Sequence, residues 1–376
     1  MSNLIKTSTL QLPFIAANIL KSPEPMPLGL LGAVGTGKTQ WLRFEYPQII
    51  ADHFGIDVAD LGYVNVRISG RDGDSVSGFM IPAKGDDGMV TVSTKPEIIE
   101  RIEQTGREFG LLLIDELLQA DAHTQKVLSD LLDPAERTLN GFPIPDGWVI
   151  AFTGNRTSDK SGANKLLSHL VNRCAIFEMD FDLGQWVRWA NDNGVNPLIT
   201  GCAEAMDGFF EFEVPMGAGN FCTPRSAVRA SDQLNAFLED SEHTDIDLPE
   251  WLHQLLGSII GERAGRQLRE YILLSKNVPH PAEIISAPLD ADVPNNTGFQ
   301  LLAANRAIAA AITSSDLESV LRYVIRLRPD LQVSLGSKIL RHGARRGLIL
   351  ASPEAAQFVA KFHQLIPLAE AAGMEV

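Results

Sequence analysis

Two kinds of hydrophobic pattern divide the chain. Up to about residue 183, short apolar or alternating runs recur between stretches of mixed polarity; beyond it, apolar positions fall at helical spacing. Pro27-Leu28-Gly29-Leu30-Leu31 predicts a short apolar strand. Leu61 to Ile68 alternates and is rich in β-formers, which predicts a second. Gly110 to Ile114 is a continuous apolar run, suited to a strand buried on both faces of a parallel sheet. Trp148 to Asn155 and Ala175 to Met179 predict two more. Helices are expected at Leu12 to Leu20, about Lys38 to Phe54, Pro96 to Glu108, Ala122 to Leu132 and Leu166 to Val171. Strands alternating with helices predict an α/β fold, a doubly wound parallel sheet of five strands over residues 1–183.

Two further alternating stretches predict β-hairpins inserted into this scheme, at about residues 76–93 and 137–147. From these residues alone the first is as well explained by a decorative surface hairpin as by a functional one. Residues 184–245 predict a small helical region in which Thr223-Pro224-Arg225 starts a helix, Thr223 as N-cap and Pro224 in the first turn. Arg225 then lies where a cation opposes the helix dipole, a hint of an external anion. Residues 246–376 predict a mostly helical C-terminal region, with helices at 250–260, 265–274, 296–313, 317–326 and 352–365.

Composition narrows the class. Of 376 residues, 45% are hydrophobic and 21% charged, as in ordinary soluble domains. No apolar run approaches the ~18 residues of a membrane span, and residues 1–21 lack a leader's cleavage pattern. The expectation is a cytoplasmic protein without a membrane partner. Cys174, Cys202 and Cys222 are widely spaced and form no C-x-x-C, so they read as small buried hydrophobes. The net charge of −15 opposes binding to a polyanion unless charge is locally segregated. One region is basic: residues 317–363 hold Arg322, Arg326, Arg328, Lys338, Arg341, Arg345, Arg346 and Lys361. It reads first as a solvated face with cations at helix ends, and second as a dock for an acidic partner or nucleic acid.

The chemistry starts at Gly32-Ala33-Val34-Gly35-Thr36-Gly37-Lys38-Thr39, which fits G-x-x-x-x-G-K-[ST] between a predicted strand and a predicted helix. Gly32, Gly35 and Gly37 let backbone N–H groups turn inward around a phosphate; with Thr36 they form the cradle. Lys38 can reach the β- and γ-phosphates, and the Thr39 hydroxyl can ligate Mg2+. Asp115-Glu116 ends the Gly110 run, at the carboxyl edge where such sheets bind ligands. Asp115 can complete the metal shell and Glu116 can polarise an attacking water; helix capping is the blander use of this pair. Asn155 ends its strand, where it can bond the lytic water or γ-phosphate, or simply serve a turn. No N-K-x-D guanine motif is present, which disfavours a GTPase.

In their order and spacing these pieces resemble the AAA+ ATPases, and within them the MoxR-like group, over residues 10–240. The resemblance rests on the P-loop, on Leu111 to Glu116 as a Walker-B-like strand and on Thr153-Gly154-Asn155 as a sensor-1-like strand end. It rests further on Leu170-Val171-Asn172-Arg173 as an arginine-finger-like turn, on Thr223-Pro224-Arg225 as a sensor-2-like start, and on the two hairpins. It implies ATP and Mg2+ as ligands, γ-phosphate sensing by Asn155, an Arg173 that enters the neighbouring subunit's site, and an Arg225 that contacts phosphate from a helical lid. It also implies a homo-oligomeric ring, a hexamer in that family, and chaperone-like remodelling of a protein client such as a von Willebrand factor A domain protein. The alternative within the same fold is a motor or loader acting on nucleic acid. Cys174 stands where the family commonly has Phe after the finger arginine, and nothing after about residue 245 matches the family.

Overall fold

A computed structural model describes residues 4–85, 88–156, 159, 164–215, 219–239, 248–276, 278–345, 348, 352, 353, 356, 358 and 360. The chain divides into two compact units. The first comprises Met1–Asp182 with Glu211–Ala218 and Thr223–Arg225. The second comprises Leu183–Phe210, Gly219–Cys222 and Ser226–Val376.

The first unit runs β1 (Ile5–Thr7), α1 (Leu12–Leu20), β2 (Leu28–Gly32), α2 (Lys38–Phe44), α3 (Tyr46–Phe54), β3 (Gly62–Arg67), α4 (Gly73–Ser77), β4 (Met80–Gly85), β5 (Gly88–Ser93) and α5 (Glu97–Thr105). It continues through β6 (Gly110–Asp115), α6 (Ala122–Val127), β7 (Thr138–Leu139), β8 (Phe142–Pro143), β9 (Trp148–Asn155), α7 (Ser168–Val171) and β10 (Ala175–Met179). Six strands form one sheet in the order β1-β10-β2-β9-β6-β3, every neighbouring pair parallel. All their carboxyl ends therefore lie on one edge.

Alternation along each strand feeds two cores. Leu111 and Leu113 of β6, with Val149 and Ala151 of β9, pack against Leu12, Ala16, Trp41, Leu42, Tyr46 and Ile50 of α1–α3. Leu112, Ile114, Ile150 and Phe152 face the other way, against Ile98, Ile99 and Ile102 of α5 and Leu128, Leu131 and Leu132 after α6. The Trp148 ring lies over Gly62 and Gly110, where an added Cβ would sit 2.7 Å and 2.6 Å from ring atoms. Those glycines are smooth patches required by the indole, so a larger residue there would overpack the core.

The sheet has six strands rather than the five expected. The extra one, β1, is three residues at the edge, with Ile5 and Lys6 exposed, so it carries no apolar repeat to read. The helix expected from Lys38 to Phe54 is two helices. Pro47 has no N–H to donate to the Arg43 carbonyl, and the chain restarts at Tyr46. Residues 76 and 77 of the expected first hairpin end α4; the hairpin itself pairs Met80–Gly85 with Gly88–Ser93, and its Asp86-Asp87 turn lies outside the described residues. The helix expected to Leu132 stops at Val127. There the ladder tightens, the Ser129 N–H bonding the Lys126 carbonyl three residues back, and the chain goes on as turns. The second hairpin turns through Asn140 and Gly141, both at positive φ, as a two-residue turn requires.

The second unit is helical: α8 (Leu183–Asp192), α9 (Pro197–Ala205), α10 (Pro224–Glu239, whose first two residues fold with the first unit), α11 (Glu250–Ile260), α12 (Glu262–Ser275), α13 (Pro281–Ser286), α14 (Thr297–Ala310), α15 (Ser314–Ile325) and α16 (Pro329–Arg345). Helix α9 packs on α12 and α14, so helices from both sides of residue 245 share one unit. At the α11–α12 contact, a Cβ on Gly265 would come 2.7 Å from the Gly257 Cα. α15 begins with a reciprocal cap between Thr313 and Asp316. Helices α13 and α16 go beyond the sequence expectation, and most of the helix expected at 352–365 lies outside the described residues.

Candidate active site

Four strand ends place the polar groups. Gly32 of β2 is in register with Asn155 of β9, and Arg67 of β3 with Asp115 of β6. Because β9 lies between β2 and β6, Asn155 stands between the glycine loop and the acid pair. The loop turns through Gly35 (φ +78°) and Gly37 (φ +94°), a left-handed backbone that side chains rarely adopt. Thr36 closes the loop by donating to the Ala33 carbonyl at 3.0 Å.

Lys38 is 7% exposed, and its ammonium donates to the carbonyls of Gly32 (2.9 Å) and Ala33 (2.6 Å) and to Asn155 Oδ1 (3.4 Å). These three oxygens show that the lysine reaches the mouth of the loop, where phosphate oxygens are better acceptors for it. Burial first, and then the positive charge of Arg225, push the Lys38 pKa down to about 8. An anion in the loop favours the ammonium, so the pKa rises on binding. Nucleotide binding near pH 8–9 is therefore expected to take up a proton, and affinity to fall by about tenfold per pH unit above 8. Calorimetry in buffers of different ionisation enthalpy checks this; binding without proton uptake at pH 8.5 contradicts it.

A continuous chain of oxygens joins the loop to the acids. Thr39 Oγ1 donates to Asp115 Oδ1 at 3.1 Å. Thr153 Oγ1 donates to the same carboxylate oxygen and accepts the Glu116 N–H at 3.0 Å. The Glu116 backbone is left-handed (φ +61°, ψ +36°), a strained state for a non-glycine residue that the surroundings must hold. Its side chain is held as well: Arg67 Nε and Nη2 fork onto the two carboxylate oxygens at 2.9 and 2.6 Å. Glu116 thus carries a carboxylate turned to the end of β3, beside Asp115.

Arg225 reaches this neighbourhood. A Cβ on Gly35 would lie 2.7 Å from Thr223 Oγ1 and 3.5 Å from Arg225 Cβ, residues that fold with the first unit. Arg173 does not join the cluster. It follows α7 and binds the Ser129 carbonyl (3.0 Å), Ser129 Oγ (2.7 Å) and Asp133 (3.0 Å). Beside it, burial pushes the Cys174 thiol up to about 12, so that residue fills core.

Gly32, Gly35, Thr36, Gly37, Lys38, Thr39, Asp115, Glu116, Asn155 and Arg225 are therefore gathered at one sheet edge, and Arg173 stands apart. Two participants, Arg67 and Arg156, escaped the sequence reading, and Thr153, read there only as part of the sensor-1-like strand end, gains a role as the link between Asp115 and Glu116. Arg67 was legible only as the polar end of an alternating strand. Arg156 sits one residue beyond Asn155 and binds Asp159 (2.9 Å) and Glu178 (3.4 Å).

The donor set fits Mg2+. Thr39 and Asp115 present one hydroxyl and one carboxylate at one place, leaving room for water and phosphate oxygens. Among the described residues no group of three or more His, Cys, Asp or Glu could hold a metal by itself. Among them, too, no helix is long and apolar enough to cross a membrane.

No protein family profile matches the sequence, and no curated protein matches it. Solved structures with a similar chain include the Aeropyrum pernix ORC1 protein in complex with DNA (15% identity over 90% of this chain and 82% of that one, TM-score 0.40). They also include a point mutant of Thermotoga maritima RuvB (17%, 68% and 74%, 0.35) and NtrX from Brucella abortus (14%, 96% and 69%, 0.31).

Proposed function

We propose that this chain is an AAA+ ATPase of the MoxR-like kind, which hydrolyses ATP with Mg2+ in a homo-oligomeric, hexameric ring. The motion would remodel or activate a partner protein in the cytoplasm, a von Willebrand factor A domain protein being the partner that the resemblance implies. The observation that carries the ATPase reading is the chain Thr39–Asp115–Thr153–Glu116, which ties the P-loop to Asp115 and to the left-handed backbone of Glu116. Phosphate binding alone needs only the loop. A second carboxylate held against its backbone preference beside the first is what hydrolysis needs.

The roles follow from placement. Lys38 and the loop N–H groups bind the β- and γ-phosphates. Thr39 and Asp115 would hold Mg2+, which neutralises charge developing on the phosphate oxygens. Glu116 accepts a proton from the attacking water once its carboxylate leaves Arg67. Asn155, already bonded to Lys38, orients the γ-phosphate or that water. Arg225 adds positive charge close enough to act on Lys38.

Two observations favour a protein client over nucleic acid. The β4–β5 hairpin exposes Phe79 (57%), Met80 (69%) and Met89 (71%), with Ile81, Val90 and Val92 also outside. By strand alternation Ile81, Val90 and Val92 share one face of the hairpin and Met80 and Met89 lie on the other, so both faces offer apolar side chains to a protein contact. In the basic region, Arg326 is spent on the carbonyls of Pro288 and Ala291, Arg328 on Asp330 and Thr297, and Lys338 on Asn305. The side chains of Arg341 and Arg345, and all of Arg346 and Lys361, lie outside the described set. Double-stranded DNA is accordingly expected to leave the ATPase rate unchanged between about 50 and 200 mM salt, the range over which phosphate contacts weaken steeply. Stimulation by DNA that fades as salt rises would turn the reading to the nucleic-acid motor.

A further inference from the structure

One charged cluster next to the site has no part in the chemistry above. Arg156 directly follows Asn155, at the end of β9, and its guanidinium binds three separate elements. Nε donates to Asp159 (2.9 Å), Nη1 to Glu178 on β10 (3.4 Å), and Nη2 to the carbonyl of Phe212 (3.1 Å). Asp159 and Glu178 are both buried, and the Arg156 side chain is 27% exposed. The Phe212 ring also packs on Phe181, with centroids 4.7 Å apart, just beyond β10. Phe212, in segment 211–215, is thereby held by Arg156 just past β9 and by the Phe181 ring just past β10, one contact polar and one aromatic. All of these residues fold with the first unit. Both Arg156 and Asp159 act electrostatically on Lys38, with opposite sign.

A surface arginine serving solubility alone would not be built this way. An arginine whose fork is used on two buried carboxylates and a main-chain carbonyl fixes geometry. The group it fixes most directly is its chain neighbour, Asn155, whose Oδ1 already meets Lys38. Asn155 and Arg156 share a peptide, so a backbone shift at Asn155 on γ-phosphate binding would pass directly to the residue whose guanidinium holds Phe212.

We propose that Arg156 is a positioning residue that couples γ-phosphate occupancy at Asn155 to the tethering of segment 211–215, and so sets the preference for ATP over ADP. The inference rests on the ATPase reading and deepens it. ADP lacks the group that Asn155 meets, so only ATP affinity should depend on how firmly Arg156 sets the asparagine.

The test uses the full chain with Glu116→Gln, in which ATP survives long enough for equilibrium binding. Adding Arg156→Ala is expected to weaken ATP by about tenfold, within the usual span of coupling between sites, and to leave ADP within about twofold. Arg156→Lys keeps the charge but not the fork and is expected to fall between. Should Arg156→Ala not fold, Glu178→Gln removes one anchor and is expected to shift the ATP-to-ADP ratio in the same direction. An unchanged ratio in folded Arg156→Ala, or an equal loss of both nucleotides, overturns the proposal. Failure of the Glu116→Gln parent to bind any nucleotide overturns the ATPase reading itself, and this inference with it.

Discussion

Glu116→Gln is expected to bind ATP within about threefold of the parent chain and to hydrolyse it at least ~10²-fold more slowly, since a positioned general base contributes about 10²–10⁴ in rate. Glutamine fills the same volume and can still hydrogen-bond, so the left-handed turn at Glu116, held through its N–H by Thr153, has no reason to change. What disappears is the acceptor for the water's proton. The variant also loses the ion pair with Arg67. That guanidinium is 67% exposed, so the pair contributes no more than about 1 kcal/mol to stability. Phosphate release by the variant, alongside equilibrium ATP binding, reads both halves of the expectation. Retained turnover would remove Glu116 from its role and leave Asp115 to metal binding alone.

Arg173→Ala is expected to leave ATP binding intact and to lower turnover by about 10³-fold or more, the range for an arginine that stabilises transferring phosphate charge. Within one chain the Arg173 guanidinium is occupied by Ser129 and Asp133, outside the P-loop. With its side chain 32% exposed, it can still be offered to a second copy. If it completes a neighbour's site, mixing Arg173→Ala chains with Lys38→Ala chains should restore part of the activity. Some interfaces then pair an intact P-loop with an intact arginine. Absence of rescue in well-mixed assemblies would mean that each site is complete within one chain.

Much of this architecture was legible because the parallel sheet buries its strands on both faces. The runs at Leu28, Gly110 and Trp148 had to be apolar throughout, and a polar group could stand only at their carboxyl ends. That constraint singled out Asp115 and Asn155 at strand ends, while Lys38 and Thr39 were legible from the G-x-x-x-x-G-K-[ST] spacing. Edge elements escape the same logic. β1 buries one residue in three, so its sequence is free of pattern. The break at Tyr46 depends on Pro47, which a periodicity spanning it overrides. Pairings across the sheet were illegible for a different reason. Arg67 meets Glu116 because β3 neighbours β6, and Arg156 meets Glu178 because their strands reach the same edge. Strand order is set by packing, which no single run encodes. Nor did the helical pattern beyond residue 183 show that α9 would pack with α12 and α14 across the expected boundary at 245.

The most direct measurement of the central claim is phosphate release from ATP with Mg2+, by the parent chain and by Lys38→Ala, across concentrations that span self-association. Turnover by the parent is expected to rise with assembly, and Lys38→Ala is expected to release no phosphate above background. No turnover by the parent at any assembly state, or undiminished turnover by Lys38→Ala, would contradict it.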